Sequence, residues 1–530
     1  MQLTLFRDKM AYPIYLTIGN IPKHICQKVS HQAHMLIGYI PVTKLTSISN
    51  KAACRCALAN LFHMCMHTAL GSISLYGETR VDMMSGDGIW QRCHPIFAIF
   101  IGDYPEQALV TCTYYGRCPK CTVAPGQLGE NLSSPLRMQR DVLDTYLLSD
   151  GDFYAFHHAC HEAGMKPIYH LFWEMLLLTD IFHLITPDIL HQLLQGMVKH
   201  LITWLISIFG ATAIDSQCQA VPPNHKTLLF TKGITTLSHI SGHEHKKMCV
   251  ILLSLIVNQL VPGGLDPSHI VRAVCALMDF LFLASYKSHT SNTISLMQDH
   301  LTQFHDNKAV FFDLRVQKHF NIPKLHGLSH YESSIQLFGT TDNYNTEQSE
   351  CLHIDLAKDA YCATNHKEEY SQMMKWLECQ EKVYHYSAFV NWRQQWGHEL
   401  SSPAQIAIGP PGAYMLTVKM AWKPSKRNIS FDSLTIDYGA LTFQDGLAEF
   451  IAQLNHPGAS RSTLANCAHN THIPFSHVPV YHKIKFTGHG DLNQLEIMDS
   501  VHVRPEQRDL HGQIIPACFD TVLVKSNKGN

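Results

Sequence analysis

The apolar run Ile96–Ile101 restricts this chain more than any other stretch. It stands in H-P-I-F-A-I-F-I-G-D-Y-P-E-Q, His94 to Gln107, and C-P-K-C follows at Cys118–Cys121. Six apolar residues in a row predict a central strand covered on both faces. Asp103 then falls where such a strand meets polar surroundings. The carboxylate has two readings. It can hold a divalent metal ion, or it can cap the next helix, with Pro105 in the first turn. Spacing alone favours the cap.

With 530 residues, 46% of them apolar, the chain can build two or three domains around large cores. The runs His200–Ala213 and Cys249–Leu260 fall short of the roughly 20 residues that a membrane span needs, so buried helices and no membrane partner are expected. Met1 is followed by Q-L-T-L-F-R-D-K, which has no apolar signal core. Seventeen cysteines without a secretory signal predict reduced thiols and a metal site rather than a disulfide framework. A formal charge of −2 is a weak electrostatic basis for binding nucleic acid. Histidine is abundant, at 36 residues, and arginine is scarce beside it.

Tyr12–Ile18 and Met35–Ile40 read as strands and Lys51–Leu70 as a helix. Residues from about 116 to 335 read as mostly helical, with Leu194, Met197, Leu201 and Leu205 on one face of His191–Leu205, opened by T-P-D at Thr186–Asp188. In Glu347–Thr364, helical spacing puts Leu352, Leu356, Ala357 and Ala360 on one stripe and Glu347, Glu350, Ile354 and Lys358 on another. Two carboxylates one turn apart can bind metal or form a solvated face. Ser401–Pro411 has linker composition. Ile473–Phe486, Asp499–Pro505 and Ile514–Val524 alternate like strands. Asp87 in S-G-D-G reads as a turn residue.

Cys118 and Cys121 have the spacing of half a zinc site. His191 is the first choice for a third ligand, and Cys160, His157 and His158 are alternatives; two buried thiols in a tight turn is the plainer reading. His326 and His330 could bind metal or simply pack and hydrogen-bond.

Several blocks resemble one family. G-D-Y-P-E-Q with C-P-K-C is similar to the second-aspartate region of CACTA-type DNA transposases, and T-P-D-I-L-H-Q-L-L-Q-G-M-V-K-H, Thr186–His200, to their Asp-x-x-His segment. F-G-T-T-D-N-Y-N-T-E-Q-S-E-C-L-H-I-D-L-A-K-D-A-Y-C-A-T-N, Phe338–Asn365, resembles the most recognisable block of the Plavaka transposases of basidiomycete fungi. Y-P-I-Y-L-T-I-G-N-I-P-K, D-S-V-H-V-R-P and F-D-T-V-L-V also match.

The resemblance implies an α/β fold: an RNase H-like catalytic core interrupted by a large helical insertion, with a small β-rich C-terminal module. The core's first part would be residues 1–115 and the insertion 116–335. The late-Glu part would be 336–400, and the linker and module 401–530. It implies DDE-type DNA cleavage and strand transfer, with Mg²⁺ or Mn²⁺ on Asp103 and on Glu350 or Glu347, and a nuclear location; zinc on Cys118, Cys121 and His191 would be structural, not catalytic. DNA (transposon ends and target) and another copy of the chain are the partners it implies. Two-metal phosphoryl transfer needs such converging carboxylates.

Two departures shape the expectation. The family's first Asp lies just upstream of Q-L-T-L-F, and Asp8 stands too close to the next strand to replace it. Its loss would leave transfer chemistry impaired. Where the family carries Arg, Cys351, Cys362, Cys518, Cys26 and Gln27 stand here, as single transitions at CpG would produce. A decayed, truncated copy is the first expectation. An active enzyme with an upstream start is the second, and a non-catalytic zinc-stabilised nuclear DNA- or protein-binding relic the third.

Overall fold

The fold is that of a computed structural model, which describes residues 2–3, 9–85, 88–147, 151–176, 178–222, 227–261, 264, 266–396, 416–420, 424–456, 458–488, 497–508, 514–515 and 517–519. Asp8, Asp87 and the 401–411 linker lie outside the described residues. The chain divides into two compact units, Met1–Gln395 and Trp396–Asn530.

The first unit opens with β1 (Tyr12–Thr17) antiparallel to β2 (His34–Ile40), with a bulge between Ile14 and Tyr15. The helix Lys51–Thr79 follows. Asn50 starts it by accepting the Ala52 and Ala53 amides on its side chain. Ala59, Phe62, His63, Met66 and Leu70, spaced by three and four, form its buried face. Phe62 meets Phe172 edge to face, inside a core that also holds Phe156, Trp173 and Phe182. A hairpin of β3 (Val81–Met84) and β4 (Trp90–Cys93) comes next.

The expected central strand at Ile96–Ile101 is an extended segment with a single bridge, Phe100 parallel to Ile185. Ile96 (54% exposed) and Ala98 are exposed and the other four residues are half-buried. Phe97 and Phe100 pack against the core while only half-buried, so the run is not a strand covered on both faces. The sheets among the described residues are four antiparallel pairs and one four-stranded antiparallel sheet. The α/β expectation therefore holds as helices with small antiparallel sheets, and no RNase H-like sheet forms among the described residues.

The helical body starts at Asp188, which caps a π-helix, Ile189–Val198, that continues as the α-helix Lys199–Phe209. Gly210, at φ 85°, turns the chain 108° into Ala211–Ala220. That positive φ is cheap only for glycine. Leu193, Met197, Leu201 and Leu205 pack with Phe280, Phe304 and Phe311 in the largest core, which includes the helices Ser268–Ala284 and Ser291–Asn307. Among the described residues no single helix is long and apolar enough to cross a membrane; Ile189–Phe209 with Ala211–Ala220 qualifies only as a bent pair.

The late helix Thr346–His353 is capped by Asn345 and runs into a π-turn, Ile354–Asp359. Leu352, Ala357 and Ala360 are buried, Leu356 is half-buried, and Glu347, Glu350, Ile354 and Lys358 are exposed, as the two stripes require. Tyr15 reaches His353 Nδ1 at 2.8 Å and Tyr39 donates to the Leu356 carbonyl. These contacts hold the late helix against β1 and β2.

The second unit is a four-stranded antiparallel sheet of Leu416–Met420, Lys483–Gly488, Ile497–Arg504 and Cys518–Phe519. It also holds the pair Lys426–Ser430 and His477–Val480 and the helices Phe431–Ile436, Phe443–Asn455 and Arg461–His469.

Candidate metal centres

The C-P-K-C turn folds so that Cys118 Sγ accepts the amides of Lys120 and Cys121, both at 3.4 Å. His326 ends the short helix Pro323–His326, and His330 ends the tight turn after it. His326 Nε2 lies 3.0 Å from Cys121 Sγ, and His330 Nε2 lies 3.3 Å from Cys118 Sγ. The four ligand atoms all fall within 4.8 Å of one another. Tetrahedral zinc with bonds of about 2.3 Å to sulfur and 2.0–2.1 Å to nitrogen sets S and N about 3.5 Å apart. Two thiolates and two neutral imidazoles also balance the ion's charge, so the residues fit zinc.

The electrostatics agree. The Cys118 hydrogen bond pulls the Cys121 thiol well below its ordinary value, and the two histidines help against burial. Burial, then Cys121, pushes the Cys118 thiol up. Burial lowers the His330 pKa, against the pull of Cys121. Lys120, inside the turn, is buried and donates to the Ile185 carbonyl at 2.8 Å and to Ser334 Oγ at 3.3 Å. Burial lowers its pKa to about 8, against the pull of both cysteines.

His191, the expected third ligand, stands elsewhere. The alternatives stand apart as well. Cys160 is buried in the Phe156–Trp173 core, His157 lies against Phe153, and His158 faces Glu162 at 3.7 Å. Sequence reading saw the His326–His330 spacing but not its partner, because nothing local connects positions 205 residues apart.

Asp103 caps the helix Tyr104–Val110: its Oδ1 accepts the Glu106 amide at 3.0 Å, with proline in the first turn. The cap uses one oxygen and leaves the other for a second partner. The half-buried Glu106 carboxyl faces Asp103 and accepts from the Tyr12 hydroxyl. Burial, then the Asp103 charge, raises its pKa to about 7. Sequence reading missed Glu106, whose only signal is its place in the first turn after the cap.

His191 sits on the first turn of the π-helix. Its Nδ1 lies 3.0 Å from Asp188 Oδ2 and 2.8 Å from Thr346 Oγ1. Asp188 is 2% exposed and also accepts the amides of His191 (2.7 Å) and Thr346 (3.0 Å). The other imidazole nitrogen, Nε2, lies 3.8 Å from Glu350 Oε1. Burial works to lower the His191 pKa, but Asp188, Asp103 and Glu350 raise it overall. Glu350 thus borders the imidazole, and the Asp103 charge reaches it. Glu347 instead accepts from its neighbour Asn345 at 3.2 Å and is exposed. The three groups Asp103, His191 and Glu350 stay farther apart than the cysteine–histidine set, which alone among the described residues converges within 4.8 Å.

Comparison with known proteins places these residues in context. The family model of the Plavaka transposases matches residues 1–205, a span that holds β1, β2, Asp103, Cys118, Cys121, Asp188 and His191. Glu350 and the histidine pair lie beyond it. No curated protein matches the chain.

Proposed function

We propose that the chain is a Plavaka-type, transposase-derived protein that acts on DNA in the nucleus. In this reading Asp103 and Glu350 hold Mg²⁺ or Mn²⁺, and the Cys118–Cys121–His326–His330 set holds structural zinc. One observation supports the reading: His191, inside the span matched to the transposase family, has the Glu350 carboxylate of a distant segment 3.8 Å from its Nε2, and the Asp103 charge also acts on it. Carboxylate oxygens suit these hard cations. A divalent ion bound there would activate a water or a 3′-hydroxyl and stabilise the leaving oxygen of a phosphodiester. The residues' own work is simpler. Asp103 offers its second oxygen while capping its helix, Glu350 offers an exposed carboxylate, and Asp188 fixes His191 beside Glu350.

A metal-dependent DNA nicking and strand-transfer assay tests the reading. Activity with Mg²⁺ or Mn²⁺ that disappears in Asp103→Ala and Glu350→Ala is the expected result. Activity that survives both substitutions would sink it. A second reading has its own support: the zinc ligands converge and the carboxylates stay open, as a zinc-stabilised DNA- or protein-binding relic would have them. DNA binding without nicking under either ion would favour that reading.

A further inference from the structure

We infer that His191 Nε2 is a third ligand of the divalent ion proposed for Asp103 and Glu350, making the site a mixed nitrogen–oxygen one that favours Mn²⁺ over Mg²⁺. The inference rests on reading those two carboxylates as metal ligands.

The hydrogen bonds around the imidazole assign its proton. Asp188, when ionised, only accepts. Thr346 Oγ1 gives its hydrogen to Asp188 Oδ2, 2.8 Å away, so it turns a lone pair toward His191. Both neighbours of Nδ1 are therefore acceptors, and Nδ1 carries the proton. In the neutral imidazole Nε2 therefore keeps its lone pair, and Glu350 Oε1 lies 3.8 Å from it. That is too long for a hydrogen bond. It suits two ligands of one ion, which sit about 3–4 Å apart when bonds are about 2.1 Å. A carboxylate behind the far nitrogen is the usual support of a metal-bound histidine.

The support is shared. Thr346 and Glu350 lie one turn apart on the late helix, so Asp188 fixes the imidazole and the carboxylate together. Lys324 Nζ donates to the His191 carbonyl at 2.7 Å. It crosses the π-helix over Gly196, where an added Cβ would stand 2.7 Å from Lys324 Cδ. Asp188 and Lys324 are positioning residues, and only His191 would touch the ion. Imidazole moves an oxygen site away from Mg²⁺ and toward Mn²⁺.

The test is Mn²⁺ binding to the zinc-loaded full chain, followed by the electron paramagnetic resonance of free Mn²⁺, with Mg²⁺ as competitor. His191→Ala should weaken Mn²⁺ binding at least about tenfold and change Mg²⁺ binding far less. Electron spin-echo modulation of bound Mn²⁺ in the unaltered chain should show coupling to one histidine nitrogen, a readout that needs no variant to fold. No nitrogen coupling, with Mn²⁺ binding lost in Asp103→Ala but kept in His191→Ala, overturns the inference and leaves the carboxylate reading standing. Mn²⁺ binding unchanged by Asp103→Ala and Glu350→Ala overturns both.

Discussion

Asp188 gathers four hydrogen bonds on one buried carboxylate, two from His191 and two from Thr346. Asp188→Ala strands those donors and should lower stability by about 3 kcal/mol, read as a shifted denaturant midpoint with an unchanged slope. The pH dependence has a sign. The folded His191 pKa is raised above its usual 6.5, so its contribution is complete below that value and fades as pH rises through the raised one. The stability gap between the unaltered chain and His191→Ala should narrow as pH rises above 6.5. Glu106 obeys the same rule. Its pKa rises from 4.5 to about 7 on folding, so stability falls as pH climbs across that window. Glu106→Gln should remove that slope and stabilise the chain at pH 8 by up to about 3 kcal/mol. At this scale the sequence told much. D-Y-P announced the Asp103 cap, because capping is local chemistry. Glu350 and Glu347 stayed undivided, because only the partner across the fold separates them.

Among the elements, the C-P-K-C turn depends most on another part of the chain. Its two thiols are satisfied by a helix end brought up from the far side of the helical body. Purified protein should carry about one zinc ion per chain by mass spectrometry. Cys121→Ser and His326→Ala should lose that ion and His191→Ala should keep it. Stripping zinc with a strong chelator should lower the melting temperature, since an ion that binds only the folded state stabilises it. The paired stripes of the late helix were legible from spacing of three and four. The π-helix at Ile189–Val198 was not, because a widened turn leaves the apolar pattern nearly unchanged. The run Ile96–Ile101 misled for a related reason: an extended segment lying on one core looks, in sequence, like a strand between two.

The whole molecule carries almost no net charge, with 41 basic against 43 acidic side chains. If it binds DNA, its affinity should depend only mildly on salt. Proteins making 6–10 phosphate contacts lose about 10³–10⁵ in affinity between 50 and 200 mM salt. Here a loss below about tenfold is expected in a fluorescence-anisotropy titration; a steeper fall would point to a basic surface that composition conceals. Alternating patterning in Ile473–Phe486 and Asp499–Pro505 made strands of the second unit legible. The long-range pairing of Cys118 and Cys121 with His326 and His330, and of His191 with Glu350, was not, since composition and periodicity carry no distance information.

The separation within the cysteine–histidine cluster also has a consequence for synthesis. Cys121 leaves the ribosome 205 residues before His326. At about 5–20 residues per second the wait is about 10–40 s. Through that interval a nascent chain presents a reactive dithiol with no imidazole to share its metal. The turn is most exposed to oxidation, or to capture by another chain's cysteines, while the protein is still being made. An oxidising or zinc-poor cell would then reduce the yield of folded protein more than it harms molecules already complete.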